Sequence, residues 1–279
     1  MVEIFKLFAW PLLAGTLLGV ALSVVGVHLA GRSRTVQVLN SAQGAELGSL
    51  LVIFFGLTAG AEIESLSPLH SLLGAAGGAL LFGFLSQFIT SANQSSRTPL
   101  LLSLWIFLVA ATQLSIALNP ILEAHFSRML LGDLTTLSNS ESKWISVLTC
   151  AALLFIAKNH NSMLKRTFDS AIFRVKRALI TGGEDVFILG LIALCTWAFG
   201  FLYTCAVLFI PTSLLSVGSL KNSARHFGTA ACATFIAIPV GFMVSLTGQN
   251  IPTTPSVVVA LFVVSFLALF VLDLKKRSN

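Results

Sequence analysis

Apolar runs of 16 to 24 residues recur along this chain from Leu7 to Leu272. About 20 consecutive apolar residues suffice to cross ~30 Å of hydrocarbon. Inside lipid every backbone N–H and C=O must find its partner within the protein, which leaves helices and closed barrels as spanning structures. Barrel strands need only about ten residues, so runs of this length predict helices. Composition points the same way: 56% of the 279 residues are hydrophobic and 10% are charged, where soluble domains carry about 25% charged residues. The expected fold class is all-α: a polytopic transmembrane helix bundle forming one membrane domain over residues 1–279.

Eight or nine spans fit the pattern, and nine candidates can be placed, at 7–30, 45–61, 68–90, 98–118, 143–158, 185–202, 203–219, 227–247 and 254–273. The sixth and seventh share one apolar stretch of 35 residues, too long for a single crossing at 1.5 Å rise per residue. Gly200 and Pro211 mark where it could turn or break. The first run follows a single basic residue, Lys6, and exceeds the apolar region of a signal peptide, so it reads as a span. Cys150, Cys195, Cys205 and Cys232 all lie in apolar runs, with no C-x-x-C pair, and read as small core residues. Gly15–Gly19, Gly56–Gly60 and Gly74–Gly78 each form a G-x-x-x-G pair. Such pairs allow close helix packing, within one subunit or at a dimer seam.

Lysine and arginine in the loops set the expected orientation. With the N-terminus outside, Arg32, Arg34, Arg97, Lys158, Lys165, Arg166, Arg174, Lys176, Arg177, Lys221, Arg225, Lys275, Lys276 and Arg277 face the cytoplasm. That is 14 of 17 basic residues, with Lys6, Arg128 and Lys143 left outside. Nine spans preserve this bias, and eight do not. The arrangement also accounts for the net charge of +6 through anionic headgroups, with no nucleic acid needed as a partner.

The largest cytoplasmic loop, 159–183, contains a basic amphipathic stretch. Asp169 is placed to cap a helix start there. Ile172, Phe173, Ala178 and Leu179 interleave with Arg174, Lys176 and Arg177, and Gly182–Gly183 closes the stretch. Such a helix suits either an anionic lipid surface or a groove on a partner protein. At the other face, 120–142 sets Glu123, His125, Arg128 and Asp133 around Met129-Leu130-Leu131, as in a re-entrant or interfacial helix. Within the bilayer, Glu46 stands at the start of the second span, with Asn40 and Gln43 just before it. A charge there costs roughly 2.5–3.5 kcal/mol on insertion scales. Glu46 therefore either lines a polar pathway or reaches interfacial water. His28 falls near the inner end of the first span, while His160 and His226 fall in cytoplasmic loops and read as solvated. The five histidines show no metal-ligand spacing. No G-x-x-x-x-G-K-[ST] phosphate loop, H-E-x-x-H or G-x-S-x-G is present.

Several stretches, in order along nearly the whole chain, resemble the metal-type ABC importer permeases of bacteria, which import zinc, manganese and iron. The clearest is Gly200-Phe-Leu-Tyr-Thr-Cys-Ala-Val-Leu-Phe-Ile-Pro211-Thr-Ser, similar to the family's Gly, Leu/Val-rich run and Pro-Ala-Ala. A basic loop with Arg225 follows. Gly241-Phe-Met-Val-Ser245 and Pro252-Thr-Thr-Pro255 resemble its Gly-rich span, Ser and Pro-x-Gly-Pro, with Thr254 in place of the Gly. Leu131-Gly132-Asp133-Leu134 and Ser138 resemble the Phe-Gly-Asp/Ser-Ile-Leu stretch. Phe168-Asp169 resembles the opening of the family's cytoplasmic coupling helix. The family's second span carries an Asp and, four residues on, a His as implied metal ligands. Here those positions hold Leu39 and Gln43, or Asn40 and Gly44, so the pair is absent and the metal ligands are unknown.

The resemblance implies a multi-pass permease subunit of the bacterial cytoplasmic (inner) membrane, N-terminus outside and C-terminus cytoplasmic, that is itself not an enzyme. It implies no cofactor bound by this chain, with ATP held on partner ATPase subunits. Those subunits would dock on Phe168, Asp169, Ile172, Phe173 and Arg174. A second permease subunit, identical or not, and an extracytoplasmic substrate-binding protein complete the expected partners. Asn40, Gln43 and Glu46 are the candidate pathway residues. An ion-coupled secondary transporter, an intramembrane enzyme acting on lipid and an accessory membrane subunit are the alternatives. The nearly charge-free interior speaks against the first, and the lack of a polar catalytic cluster against the second.

Overall fold

In the computed structural model, the residues described are 2–31, 34–59, 68–92, 97–119, 121–123, 126, 130, 132, 137–172, 183–217, 223–247 and 252–277. Among them are nine helices and no strand. These are α1 (Val2–Gly31), α2 (Thr35–Thr58), α3 (Pro68–Ala92), α4 (Arg97–Leu118), α5 (Asn139–Ile172), α6 (Gly183–Phe199), α7 (Phe201–Val217), α8 (Ser223–Thr247) and α9 (Thr253–Arg277). Seven are long and apolar enough to cross a membrane. The other two, α6 and α7, have 17 residues each, at the lower limit for a span. The protein is an all-α, multi-pass membrane protein.

The long apolar stretch breaks at Gly200, whose φ of 87° suits glycine alone. Its N–H bonds the Thr196 carbonyl at 3.0 Å, closing the last turn of α6 before α7 begins. Pro211, the other expected break, lies inside α7. The missing N–H of Pro211 deprives the Val207 carbonyl of its intrahelical partner, while the next carbonyl, that of Leu208, accepts from the Thr212 hydroxyl at 2.8 Å. Gly132, also left-handed at φ 64°, lies so close to α6 that a Cβ on it would meet the Phe199 carbonyl oxygen.

Two helices differ most from their expected spans. α2 starts at Thr35 rather than 45, because its polar first turns are buried in protein and need no lipid-compatible sequence. α5 starts at Asn139 rather than 143, on a capping box. The Ser138 hydroxyl accepts from the Glu141 N–H at 3.2 Å, and the Glu141 carboxylate accepts from the Ser138 N–H at 2.9 Å. α5 then runs on to Ile172, 34 residues or ~51 Å.

The chain divides into two compact units. The first comprises residues 1–33, 133–173 and 203–279. There α1 packs on α5 and α8, and α8 on α9. Tyr203, fully buried, donates its hydroxyl to the Gly15 carbonyl at 2.8 Å, and Gly19 faces Ile238 and Thr234. The second unit comprises residues 34–132 and 174–202, with α2 packed on α3, α4 and α6. Its small-residue core joins Ala45, Ala75, Ala79 and Ala193, with Trp197 against it. The Trp197 indole N–H bonds Ser71 at 2.8 Å. The glycine pairs that can be located thus pack within the chain, while Gly60 lies outside the described residues.

The cysteines correct one expectation. Only Cys195 is in the core; Cys205 is half-buried, and Cys150 and Cys232 are exposed. An apolar run in a membrane protein has lipid as well as protein to face, so a cysteine in it need not be interior.

Candidate functional site

α2 carries the largest buried polar stripe of the described residues. Gln37, Asn40, Gln43, Glu46 and Ser49 recur every third residue, and each is at least nine-tenths buried. At 100° per residue the stripe winds slowly around the helix. Gly44 and Gly48 lie on the face toward α3, where they meet Gly78 and Gly74 backbone to backbone. A Cβ on Gly78 would fall on the Gly44 carbonyl oxygen, so only glycine permits this approach. The seam fixes the rotation of α2 and turns Glu46 and Ser49 away from α3.

Each polar residue is held differently. The Asn40 amide donates to the Ser86 hydroxyl of α3 at 3.2 Å and to the Leu101 carbonyl of α4 at 3.1 Å. Ser41 bonds back to the Gln37 carbonyl at 2.9 Å. The Gln43 amide donates to Glu46 Oε2 at 2.6 Å. That leaves Asn40 Oδ1, Glu46 Oε1 and Ser49 Oγ buried with no hydrogen-bond partner among the described residues. Buried acceptors of this kind are uncommon, and three on one helix can serve a cation or a hydrogen-bond donor. No group of three His, Cys, Asp or Glu placed to hold a metal occurs among the described residues. Glu46 is therefore not at a helix start reaching interfacial water, but 12 residues into a buried helix.

The expected docking residues are only partly visible. Phe168, Asp169 and Ile172 belong to α5, their side chains undescribed, and Phe173 and Arg174 lie outside the described residues. Asp169 does not cap a helix start, because α5 arrives from the membrane and passes through it without a break. Gly183 opens α6, and the rest of the expected loop helix, 173–182, lies outside the described residues. Of the outer segment, Glu123 is described, in a short turn after Asn119, whose side chain accepts from the Ile121 N–H at 3.3 Å. His125, Arg128 and Asp133 lie outside the described residues.

Two further arrangements escaped the sequence. His160 and His226 are not in solvated loops. They lie in α5 and α8, both half-buried, because these helices outrun their apolar stretches. The rings of His28, His160 and Phe227 pack at centroid distances of 4.5–5.3 Å. In the second unit Arg34, just ahead of α2, pairs with Asp185 in the first turn of α6 at 3.3 Å. Contacts between residues this far apart in sequence leave no spacing signal.

No protein-family model matches the chain, and no curated protein matches it. Among solved structures it is similar to PsaBC from Streptococcus pneumoniae, determined in complex with a Fab. The TM-score is 0.73 at 14% sequence identity, over 96% of this chain and 94% of that one. At this identity the likeness is one of fold.

Proposed function

We propose that this chain is the membrane-spanning permease subunit of an ATP-binding-cassette importer, moving a divalent metal ion inward while a separate cytoplasmic ATPase hydrolyses ATP. The observation that carries the reading is the likeness of fold to PsaBC over 96% of the chain, taken together with the family resemblance of the sequence. The ordered stretches from Gly132 to Pro255 that resemble the same family support it independently of fold. The sequence holds a route through the bilayer and no phosphate loop, so the energy source is a partner. Asn40, Glu46 and Ser49 offer unpaired buried oxygens to the ion along α2, and Gln43 holds the Glu46 carboxylate through its amide. Oxygen donors of this kind favour hard cations over zinc. The chain sits in the bacterial inner membrane with its N-terminus outside, paired with a second permease subunit and served by an external binding protein.

The test is uptake into vesicles containing the chain with its ATPase. Uptake should require ATP and the ATPase, and should survive dissipation of ion gradients. Uphill uptake by the chain alone would overturn the reading. One observation favours a second reading, an ion-coupled secondary transporter: Glu46 is buried mid-helix with an amide as its hydrogen-bond partner, as in gradient-driven carriers. Uptake abolished by an uncoupler yet indifferent to ATP would select it.

A further inference from the structure

Two imidazoles from different helices meet inside the first unit. His28 stands in the last turn of α1 and is 1% exposed. His160 stands in α5, half-buried. Their ring centroids are 5.3 Å apart and their planes are inclined by 65°. Phe227, near the start of α8, packs on both rings, at 4.5 Å from His28 and 4.9 Å from His160. α1 packs on both α5 and α8, and all three residues belong to one compact unit. Seated helices, not a loop, therefore set the separation of the rings.

Ring packing alone does not call for imidazole, since an apolar side chain would fill the space without desolvating ring nitrogens. A shared ion does call for it. Bonds of about 2.0–2.1 Å from nitrogen to metal, at tetrahedral angles, hold two imidazole rings on one ion with centroids roughly 5 Å apart. The pair matches that separation, and its rings are not stacked face to face. The surroundings suit a cation. The last turn of α1 presents the negative end of its helix dipole. Lys158 and Lys165 are exposed, about 200° and 140° around α5 from His160, on other faces of the helix. Phe227 walls the pair with an apolar ring, as the hydrophobic shell of a metal site does. No group of three His, Cys, Asp or Glu placed to hold a metal occurs among the described residues, so the remaining coordination positions fall to water.

We infer that His28 and His160 bind a borderline transition-metal ion, of the nickel, copper or zinc kind, through one nitrogen of each ring. Imidazole suits those ions, whereas carboxylate, carbonyl and water suit magnesium and manganese. The site is thus of a different chemistry from the oxygens of α2, and with two protein ligands its ion is exchangeable. The inference stands apart from the permease reading and is tested without transport, on the full chain purified in detergent and free of any histidine tag. Electron paramagnetic resonance of the unaltered chain loaded with Cu²⁺ should show coupling to two imidazole nitrogens. Ni²⁺ should raise its apparent melting temperature, and Mg²⁺ at the same concentration should not. In His160→Gln the metal-free melt should stay near that of the unaltered chain. Its affinity for Ni²⁺, by equilibrium dialysis, should fall at least the roughly tenfold that losing even an outer partner of a metal ligand costs. His70→Gln, at an exposed position of α3, should leave that affinity unchanged. Fewer than two nitrogens in the copper spectrum would overturn the inference, and that reading needs no variant to fold. An undiminished affinity in His160→Gln, or an equal response to Mg²⁺, would overturn it as well.

Discussion

Replacing Gly78 by alanine tests how α2 is held. The new methyl would fall on the Gly44 carbonyl oxygen, 2.9 Å from the Gly44 carbonyl carbon and 3.1 Å from Gly48 Cα. All three neighbours are backbone atoms, so no rotamer change can relieve the contact. Carbon atoms prefer about 3.5–4.0 Å, so the helices must part by up to roughly 1 Å, which forfeits a quarter to a half of the dispersion energy along the seam. Overpacking of this kind costs about 1–3 kcal/mol, and alanine's better helix propensity returns about 1 kcal/mol. The adjacent Gly77 is the control. A Cβ there meets nothing within 4 Å, so Gly77→Ala keeps only the propensity gain, about 0.5–1 kcal/mol. Each substitution adds one methyl, on neighbouring residues, yet Gly78→Ala alone carries the overpacking cost. At about 2–4 °C per kcal/mol for a chain of this size, the overpacking cost of about 1–3 kcal/mol should set their apparent melting temperatures in detergent roughly 2–12 °C apart, Gly78→Ala the lower. Circular dichroism melts decide the matter. If Gly78→Ala melts with or above Gly77→Ala, the backbone seam does not hold α2 and α3 together.

Other substitutions probe other parts of the chain. Tyr203→Phe removes the bond to the Gly15 carbonyl and should lower stability by about 1 kcal/mol, read by the same melts; an unchanged melt refutes it. Gly200→Ala forces a Cβ into the left-handed region and should cost about 1–2 kcal/mol, whereas Gly190→Ala, in open space within α6, should not. Glu46→Gln keeps shape and removes charge. If the carboxylate serves the ion, uptake should fall about tenfold or more, from a charged contact of about 1.5–3 kcal/mol; unaltered uptake removes Glu46 from the pathway. Phe168→Asp should reduce the ATPase recovered by pull-down, and an undiminished yield would move docking elsewhere.

Most of the helices were legible because lipid imposes one simple requirement, a run of apolar residues as long as the bilayer is thick. Gly200 could be singled out because glycine alone suits a left-handed residue between two helices. The residues that escaped are those that answer to protein rather than lipid. α2 begins ten residues before its apolar run because Gln37, Asn40 and Gln43 are buried against neighbouring helices, and hydropathy cannot register burial of that sort. Gly44 and Gly48 have the same four-residue spacing as Gly74 and Gly78, and pairing the two motifs would have predicted the seam. Ser138 and Glu141 spell out a capping box that marks the true start of α5. No such signal announces Arg34 with Asp185, or His28 with His160, since those meetings depend on the whole fold.

The uninterrupted length of α5 has a consequence of its own. Ile145, Ile156 and Met163 are buried along it, and the same ladder of peptide bonds continues to Ile172. The azimuth at which positions 168 and 172 emerge is therefore dictated by the residues seated further back. One amino acid spliced in after Met163 would swing the tip by about 100° and advance it by 1.5 Å, while everything behind the splice stayed in its sockets. The compass bearing of the helix end is thus inherited from the sockets behind it.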